Sequence, residues 1–285
     1  MNCRICRSAV RPGYSVNGCR LEVCDHCGFV QVAERPDARA LEAIYQAAYF
    51  SHAKYADLNT QAAENARRLD LMRRFLPETG ARILDAGCGS GDFLAAASAL
   101  YRVSGFDISA AAIDIARQRL PHIDGRLWAG TFEALPGAAD APYQAICLWD
   151  VIEHLWDPAD ACRRLLDMLE PGGYLFVSTP NIGAPLARIM GRYWAFMTPP
   201  EHLSFFTRQA MGILFVERLG QKLVDWSTRG KRVNMGFLLH KVKRKAPRLV
   251  PSPVIGLFRR PPLSGLSVYV PSGDIQYVVV QKQEG

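Results

Sequence analysis

Four groups of residues in this chain have types and spacings that could do chemistry. Cys3-x-x-Cys6 and Cys24-x-x-Cys27 are separated by 17 residues that include Gly13, Asn17 and Gly18, the spacing of a structural zinc ribbon. Four thiolates close a tetrahedron and leave no open position, so such a site is structural rather than catalytic. Asp85-Ala86-Gly87-Cys88-Gly89-Ser90-Gly91 places three glycines at alternate positions after an apolar run. That pattern allows close backbone approach to a ligand, and the free N–H groups of a following helix favour an anionic end. Asp107 lies 20 residues after Gly87, where such folds put the acid that grips ribose hydroxyls. Asp150, Glu153 and His154 fall within one helical turn and could hold a divalent cation. Glu201-His202 sets a carboxylate beside an imidazole, a pair suited to general-base work at neutral pH.

These residues need elements to position them. Ile83 to Ala86 reads as a strand running through the glycine turn into an Ala-rich helix, and Val103 to Asp107 as the next strand. Alternation continues with a helix from Ser109 to Leu120, a short strand near Arg126 to Ala129, a strand from Ala145 to Trp149, a helix opened by Asp157-Pro158 and a strand from Tyr174 to Asn181. Strands alternating with helices predict a parallel sheet covered on both faces, with ligands at the carboxyl ends of the strands. Every group above except the cysteines falls there. Upstream, Tyr45, Tyr49 and Phe50 have helical spacing, and Asp57 to Leu76 forms an amphipathic helix. Downstream, Thr207 can cap a helix from Arg208 to Leu219, Leu223 to Trp226 is a sixth strand, and Asp274 to Lys282 closes a hairpin.

Length and composition bound the reading. The 285 residues are 49% apolar, enough for one large α/β domain with a small appendage. No apolar run approaches the roughly 18 residues of a membrane span, and the N-terminus begins no signal peptide, so the expected location is the cytoplasm. A cysteine cluster in a reducing compartment binds metal more often than it forms disulfides. The net charge is +7, yet from Trp226 to Gly273 there are ten positive and no negative residues, which leaves the rest of the chain at −3. Basic character therefore resides in one segment. There Phe237-Leu238-Leu239, Lys241 to Lys245 and Val254 to Arg260 alternate apolar and basic blocks, so residues 229–260 are a candidate membrane-surface or anion contact.

A dinucleotide fingerprint requires its third glycine where this chain has Asp92, one position after Gly91. The Asp-x-Gly-x-Gly-x-Gly loop instead resembles the first motif of class I S-adenosylmethionine-dependent methyltransferases, whose fold is a Rossmann-like seven-stranded sheet with helices on both faces. The resemblance implies that Asp85 faces the cofactor ammonium, with Gly87, Gly89 and Gly91 at its carboxylate and Asp107 at the ribose. Gly130-Thr131-Phe132 resembles the adenine loop of the family, with Thr131 where an Asp is usual and Phe132 or the backbone left to make the contact. Asp150-x-x-Glu153-His154 resembles the post-strand motif of ubiquinone-type O-methyltransferases, which lies under the sulfonium, and Leu169-x-Pro-Gly-Gly is a further family hallmark. Glu201-His202-Leu203-Ser204-Phe205-Phe206-Thr207 is similar to a segment of methyltransferases from bacterial glycan and natural-product clusters. It is also similar to one in deoxysugar C-methyltransferases, which carry an N-terminal zinc module. Those have Tyr-His where this chain has Pro199-Pro200, and a further C-terminal domain, so O-methylation is preferred over C-methylation.

The expected organisation is a zinc ribbon over 1–33, a helical linker and cap over 34–80, and a methyltransferase domain over 81–285 with insertions near 183–206 and 230–270. The expected reaction is methylation of a hydroxyl on a sugar, glycan intermediate or secondary metabolite, with a small-molecule or lipid-linked glycan acceptor and His202, aided by Glu201, as base. RNA base methylation is the alternative; against it, the Asn/Asp-Pro-Pro-aromatic signature of amino methylation is replaced by Asp150-Val151-Ile152-Glu153. A non-catalytic zinc-ribbon binding module is a third reading, opposed by the intact glycine loop and Asp107.

Overall fold

The computed structural model describes residues 2–36, 58–123, 125–135, 142–236 and 266–283, together with isolated positions at 239, 251, 256–258 and 263. The aromatic run at Tyr45 to Phe50 and the basic residues Lys241, Lys243, Arg244, Lys245, Arg248, Arg259 and Arg260 lie outside the described residues.

Seven strands form the main sheet: β4 (Arg82–Ala86), β5 (Arg102–Asp107), β6 (Leu127–Ala129), β7 (Tyr143–Trp149), β8 (Leu169–Pro180), β10 (Lys222–Asn234) and β11 (Ser267–Gln281). Their order is β10-β11-β8-β7-β4-β5-β6. The β4, β5, β6, β7 and β8 neighbours pair in parallel, while β11 runs antiparallel to both β8 and β10. The chain turns one way from β4 to β5 and β6, and the other way from β7 to β8. Ligand crevices open at such a switch point.

Because successive strand side chains face opposite ways, a buried parallel strand must be apolar on both sides. Ile83, Ala145 and Cys147 join the apolar cluster under helices α1 (Leu58–Arg73), α2 (Asp92–Ala97) and α3 (Ala110–Arg119), with Met72, Leu94 and Ile113. Leu84, Ile146 and Leu148 face the other cluster, under α4 (Pro158–Asp167) and the helix α6 (Arg208–Gly212), with Leu165 and Met211. Between them, a short α5 spans Pro185–Met190. The helix starts follow their local chemistry: Ser109, Asp157 and Thr207 each accept a backbone N–H from the first turn of α3, α4 and α6. Beyond α6 the helix passes into a π-helical segment, Ile213–Arg218.

Two elements differ from the sequence reading. The sixth strand continues past Trp226 to Asn234, pairing Lys231 to Asn234 with Ser267 to Val270 after a register shift at Arg229. Side-chain alternation sets only where a strand is buried on a face, and here the hairpin outruns β8, whose last partner is Pro180 opposite Ile275. Second, β1 (Val10–Val16), β2 (Cys19–Cys24) and β3 (Val30–Val32) form a sheet whose fourth strand is β9 (Ser204–Phe205), more than 170 residues away in sequence. Val30 pairs with Phe205 and Gln31 with Ser204, while Phe29 and Phe206 lie 5.0 Å apart, ring to ring. No helix among the described residues is long and apolar enough to cross a membrane.

Candidate active site

At the carboxyl end of β4 the chain turns through Gly87 (φ +84°), Gly89 (φ +51°) and Gly91 (φ +76°) before α2 begins at Asp92. All three sit in the left-handed region that favours glycine. At Gly87 space demands it as well, since a Cβ there would lie 2.6 Å from Val151 Cγ2. The loop is tied to the neighbouring strand: Gly87 N and Cys88 N both donate to Phe106 O, at 2.8 and 3.0 Å. Gly89 N donates to Asp107 Oδ2 at 2.9 Å, and Asp107 Oδ1 accepts from Ser109 N at 2.9 Å. Ser109, not Asp107, caps α3. Asp107 therefore braces the glycine loop, and its half-buried carboxylate keeps lone pairs beyond these two bonds.

Asp85 is 3% exposed, and burial pushes its carboxyl up to about 7, against the pull of the Arg68 guanidinium and with a further rise from Asp107. A cationic ligand end at this position would restore its charge. Thr131 and Phe132 follow β6, whose Ala129 pairs with Asp107, and the Phe132 ring stands edge-on to Phe106 at 5.1 Å. An aromatic wall thus flanks Asp107.

At the end of β7, Asp150 adopts φ +56°. Its Oδ1 accepts from Ser178 Oγ at 2.8 Å and its Oδ2 from Arg68 Nη2 at 2.5 Å. Arg68 also lies 5.3 Å from the Trp149 ring centroid. Sequence reading missed Arg68, which looks like any polar position on an amphipathic helix; its only signal is a cation on α1, the helix expected beside the glycine loop.

The cation trio expected at Asp150, Glu153 and His154 is rearranged. Asp150 turns to Arg68 and Ser178, and His202 takes its place: ligand atoms of Glu153, His154 and His202 lie within 4.8 Å of one another. Glu153 is 2% exposed and accepts from Thr179 Oγ1 at 2.9 Å. Burial, with the Asp150 charge adding to it, holds its carboxyl well above the usual range. The His154 and His202 rings meet edge to face at 4.8 Å. His154 Nδ1 bonds Glu201 O and His202 Nδ1 bonds Phe196 O, each at 2.8 Å. A carbonyl can only accept, so each ring carries a proton on Nδ1, and a neutral ring then has its lone pair on Nε2. Burial, followed by the neighbouring His154, pushes His202 down to about 4, with the Glu201 charge opposing. His202 is thus neutral at pH 7. Its ring is held by the Phe196 carbonyl, and the Glu201 charge acts on it.

The four N-terminal sulfurs gather in one place. Cys3 and Cys27 Sγ are 3.6 Å apart, Cys6 and Cys24 Sγ 3.3 Å, and all four lie within 4.8 Å. The Cys27 thiol beside it brings Cys3 down to about 5, helped by backbone N–H groups including Ile5.

A protein-family model described as a methyltransferase domain matches residues 58–225. The ubiquinone biosynthesis O-methyltransferase of Xylella fastidiosa is 32% identical over 213 residues, covering 65% of this chain and 83% of that protein. Its namesake from Xanthomonas axonopodis pv. citri is 27% identical over 202 residues, covering 64% and 84%. Among solved structures, an S-adenosylmethionine-dependent methyltransferase from Thermotoga maritima superposes with a TM-score of 0.56 at 17% identity, covering 85% of this chain and all of that one. The N-methyltransferase NodS of Bradyrhizobium japonicum, solved with S-adenosyl-L-homocysteine, gives 0.50 at 17% identity, covering 78% and 88%. With a family match running from the first residue of α1 into β10 and over the whole glycine-loop edge, the chain belongs to the methyltransferase-domain family and is an S-adenosylmethionine-dependent methyltransferase.

Proposed function

We propose that this enzyme methylates a hydroxyl group of a sugar, glycan intermediate or secondary metabolite. The observation that carries the reading is the placing of the Glu153, His154 and His202 cluster on the same sheet edge as the glycine cradle, joined to it through Asp150 and Val151. S-adenosylmethionine, when bound, supplies a methyl group on a sulfonium, open to in-line attack by an acceptor oxygen. Around it Asp85 faces the ammonium, Gly87, Gly89 and Gly91 admit the amino-acid end, Asp107 grips the ribose, and Thr131 and Phe132 border the adenine. Asp150 pairs with Arg68, whose charge also acts on Asp85. The chain's own task is to align the oxygen and remove its proton. His202, neutral at pH 7 with its lone pair on Nε2, is the acceptor, and the charges of Glu201 and Asp150 stabilise the imidazolium that forms.

A cavity of about 470 Å³ is lined by Asn181, Gly183, Arg188, Thr207, Arg208, Gln209 and Trp226. Two guanidinium groups and an indole suit an anionic sugar, and the acid-free stretch after Trp226 extends the same preference toward a lipid-linked or phosphorylated acceptor. In this reading the enzyme works in the cytoplasm, at the membrane surface when its acceptor is lipid-linked. The four cysteines hold a structural zinc.

Two measurements test this. Asp107→Ala removes both ribose contacts and the brace on Gly89, so calorimetry should show cofactor affinity falling by about 2 kcal/mol or more; an unchanged affinity would reject the assignment of Asp107. Transfer of labelled methyl groups should favour sugar and lipid-linked sugar acceptors over total RNA, with His202→Ala turning over about 100-fold more slowly at unchanged cofactor affinity. Labelling of RNA alone, or a His202 variant with wild-type turnover, would overturn the acceptor class or the base respectively.

A further inference from the structure

We propose that the cavity lined by Arg188, Arg208 and Trp226 is a phosphoryl subsite, which holds a phosphate or diphosphate of the acceptor while the acceptor hydroxyl reaches His202. The inference deepens the acceptor reading above and rests on it for what the anchored molecule is used for.

Charge is the first argument. Arg188 on α5 and Arg208 at the start of α6 both line this space of about 470 Å³, a volume within the range of small-molecule sites. Arginines elsewhere close onto carboxylates, as Arg67 does onto Glu64, Arg117 onto Asp114 and Arg164 onto Asp160. Among the described residues no Asp or Glu lines the cavity, and none forms an ion pair with Arg188 or Arg208. The carboxylate next to Trp226 in the chain, Asp225, faces the other side of β10 and holds Arg74 at 3.1 Å. Two uncompensated guanidinium groups match a dianion better than a single carboxylate. A phosphoryl group carries about −1.5 to −2 at pH 7 and offers oxygens that fit the guanidinium fork.

The seat for this anion is built into the sheet. The Arg208 guanidinium lies 4.4 Å from the Trp226 ring centroid, so the indole face carries the cation. Trp226 is itself fixed, because its Nε1 donates to Gln276 Oε1 at 3.0 Å. Gln276 is fully buried, and its Nε2 donates to Phe206 O at 3.1 Å. A relay from Gln276 through Trp226 to Arg208 thus leaves the fork little rotamer freedom to lose when an anion arrives. The neutral polar groups of the cavity are spent on the fold. Thr207 Oγ1 donates to Cys27 O and accepts from Ala210 N, Asn181 Oδ1 accepts from Gly183 N, and Gln209 Nε2 donates to His26 O.

Register relates the subsite to the reacting groups. Gln276 lies opposite Thr179 in the pairing of β11 with β8, and Thr179 Oγ1 donates to Glu153, within 4.8 Å of His202. Trp226 stands one strand further out, on β10. Two strand spacings make about 10 Å, which leaves room for a sugar ring between an anchored phosphate and a hydroxyl brought to His202.

The test uses the full chain saturated with S-adenosylmethionine, so that the anion-favouring glycine loop is filled, and follows inorganic phosphate by calorimetry at constant ionic strength. The wild type should bind one phosphate per chain. Arg188→Gln and Arg208→Gln should each weaken binding by about tenfold or more, the loss expected for hydrogen bonds to a charged group, and the double variant should abolish it. Trp226→Leu keeps both cations but removes the seat and should weaken binding about threefold, with Trp226→Phe restoring most of that loss. Glucose 1-phosphate and farnesyl diphosphate serve as free and lipid-borne sources of the phosphoryl group. Tighter binding of either than of inorganic phosphate, lost in the double variant, supports the subsite and names its source. No phosphate uptake by the wild type, or equal uptake by the folded double variant, overturns it. Binding is read without turnover, which keeps the two proposals apart: a wild type that binds phosphate yet methylates no sugar would strike only the acceptor reading, and one that methylates a sugar yet binds no phosphate would strike only the subsite.

Discussion

Cys24→Ser should leave the protein without the zinc proposed at its four N-terminal cysteines and, with it, without most of its methyl transfer, although the glycine loop is untouched. The first half follows from size. β1, β2 and β3 enclose few apolar side chains of their own, chiefly Ile5, Leu21, Phe29 and Val30, and modules of that kind draw their folding free energy from the metal, about 10–16 kcal/mol for structural zinc. The second half follows from the shared sheet. β9 completes the ribbon by pairing with β3, Val32 N donates to Leu203 O at 3.0 Å, Asn17 Nδ2 donates to Pro199 O at 2.8 Å and Thr207 Oγ1 to Cys27 O at 2.6 Å. These bonds bracket His202 on both sides. Losing the ribbon releases the 199–207 segment, and a base displaced by about 1 Å costs on the order of 100-fold in rate. Elemental analysis, turnover and cofactor calorimetry on one preparation decide the matter: a zinc-free variant with wild-type turnover would show that the ribbon does not support the site.

How much of this is legible in the sequence depends on the range of each interaction. The glycine loop, the spacing to Asp107, the caps at Asp157 and Thr207 and the paired Cys-x-x-Cys turns are local chemistry, written within a few residues, and the structure has them at the expected positions. What stays hidden is set by tertiary pairing. A two-residue strand such as Ser204–Phe205 carries no periodicity, so its addition to the ribbon sheet leaves no trace in the sequence. Arg68 and Asp150 are 82 positions apart, and each alone reads as a solvated charge. Helical spacing makes Asp150 look like a partner for His154; its left-handed φ ends that turn and aims the carboxylate at Arg68 instead. The place opposite His154 falls to His202, whose motif lies far along the chain from the block after β7.

Arg4 joins the ribbon to the site, and Arg4→Met is expected to cost about 1.5–3 kcal/mol of stability, the range for hydrogen bonds to a charged group. Between the cysteines of the first Cys-x-x-Cys turn, this side chain reaches out of the ribbon: Nη2 donates to Leu203 O at 2.7 Å, Nη1 to Trp156 O at 3.1 Å, and the guanidinium lies 4.0 Å from the Trp156 ring centroid. Leu203 follows His202 and Trp156 lies two residues past His154, so one cation ties together the two segments that carry the histidines. Burial brings the guanidinium down to about 10, with Asp157 the first charge opposing that fall, and it stays charged at pH 7. Its Nε is buried without a hydrogen-bond partner, an existing cost that methionine would remove. Leu203 O also keeps the bond from Val32 N, whereas Trp156 O loses the donor it has from Arg4. For these reasons the loss should not exceed the stated range. Turnover should fall further than stability alone explains, by about tenfold or more at unchanged cofactor affinity, because the histidines lose register with the methyl. Arg4→Lys keeps the charge but offers a single compact ammonium in place of the two-pronged fork, and is expected to recover stability in part and turnover less. Denaturant melts alongside turnover and cofactor affinity for both variants separate the two roles: a methionine variant that loses stability but turns over normally would make Arg4 a strut for the ribbon alone, with no hold on the histidines.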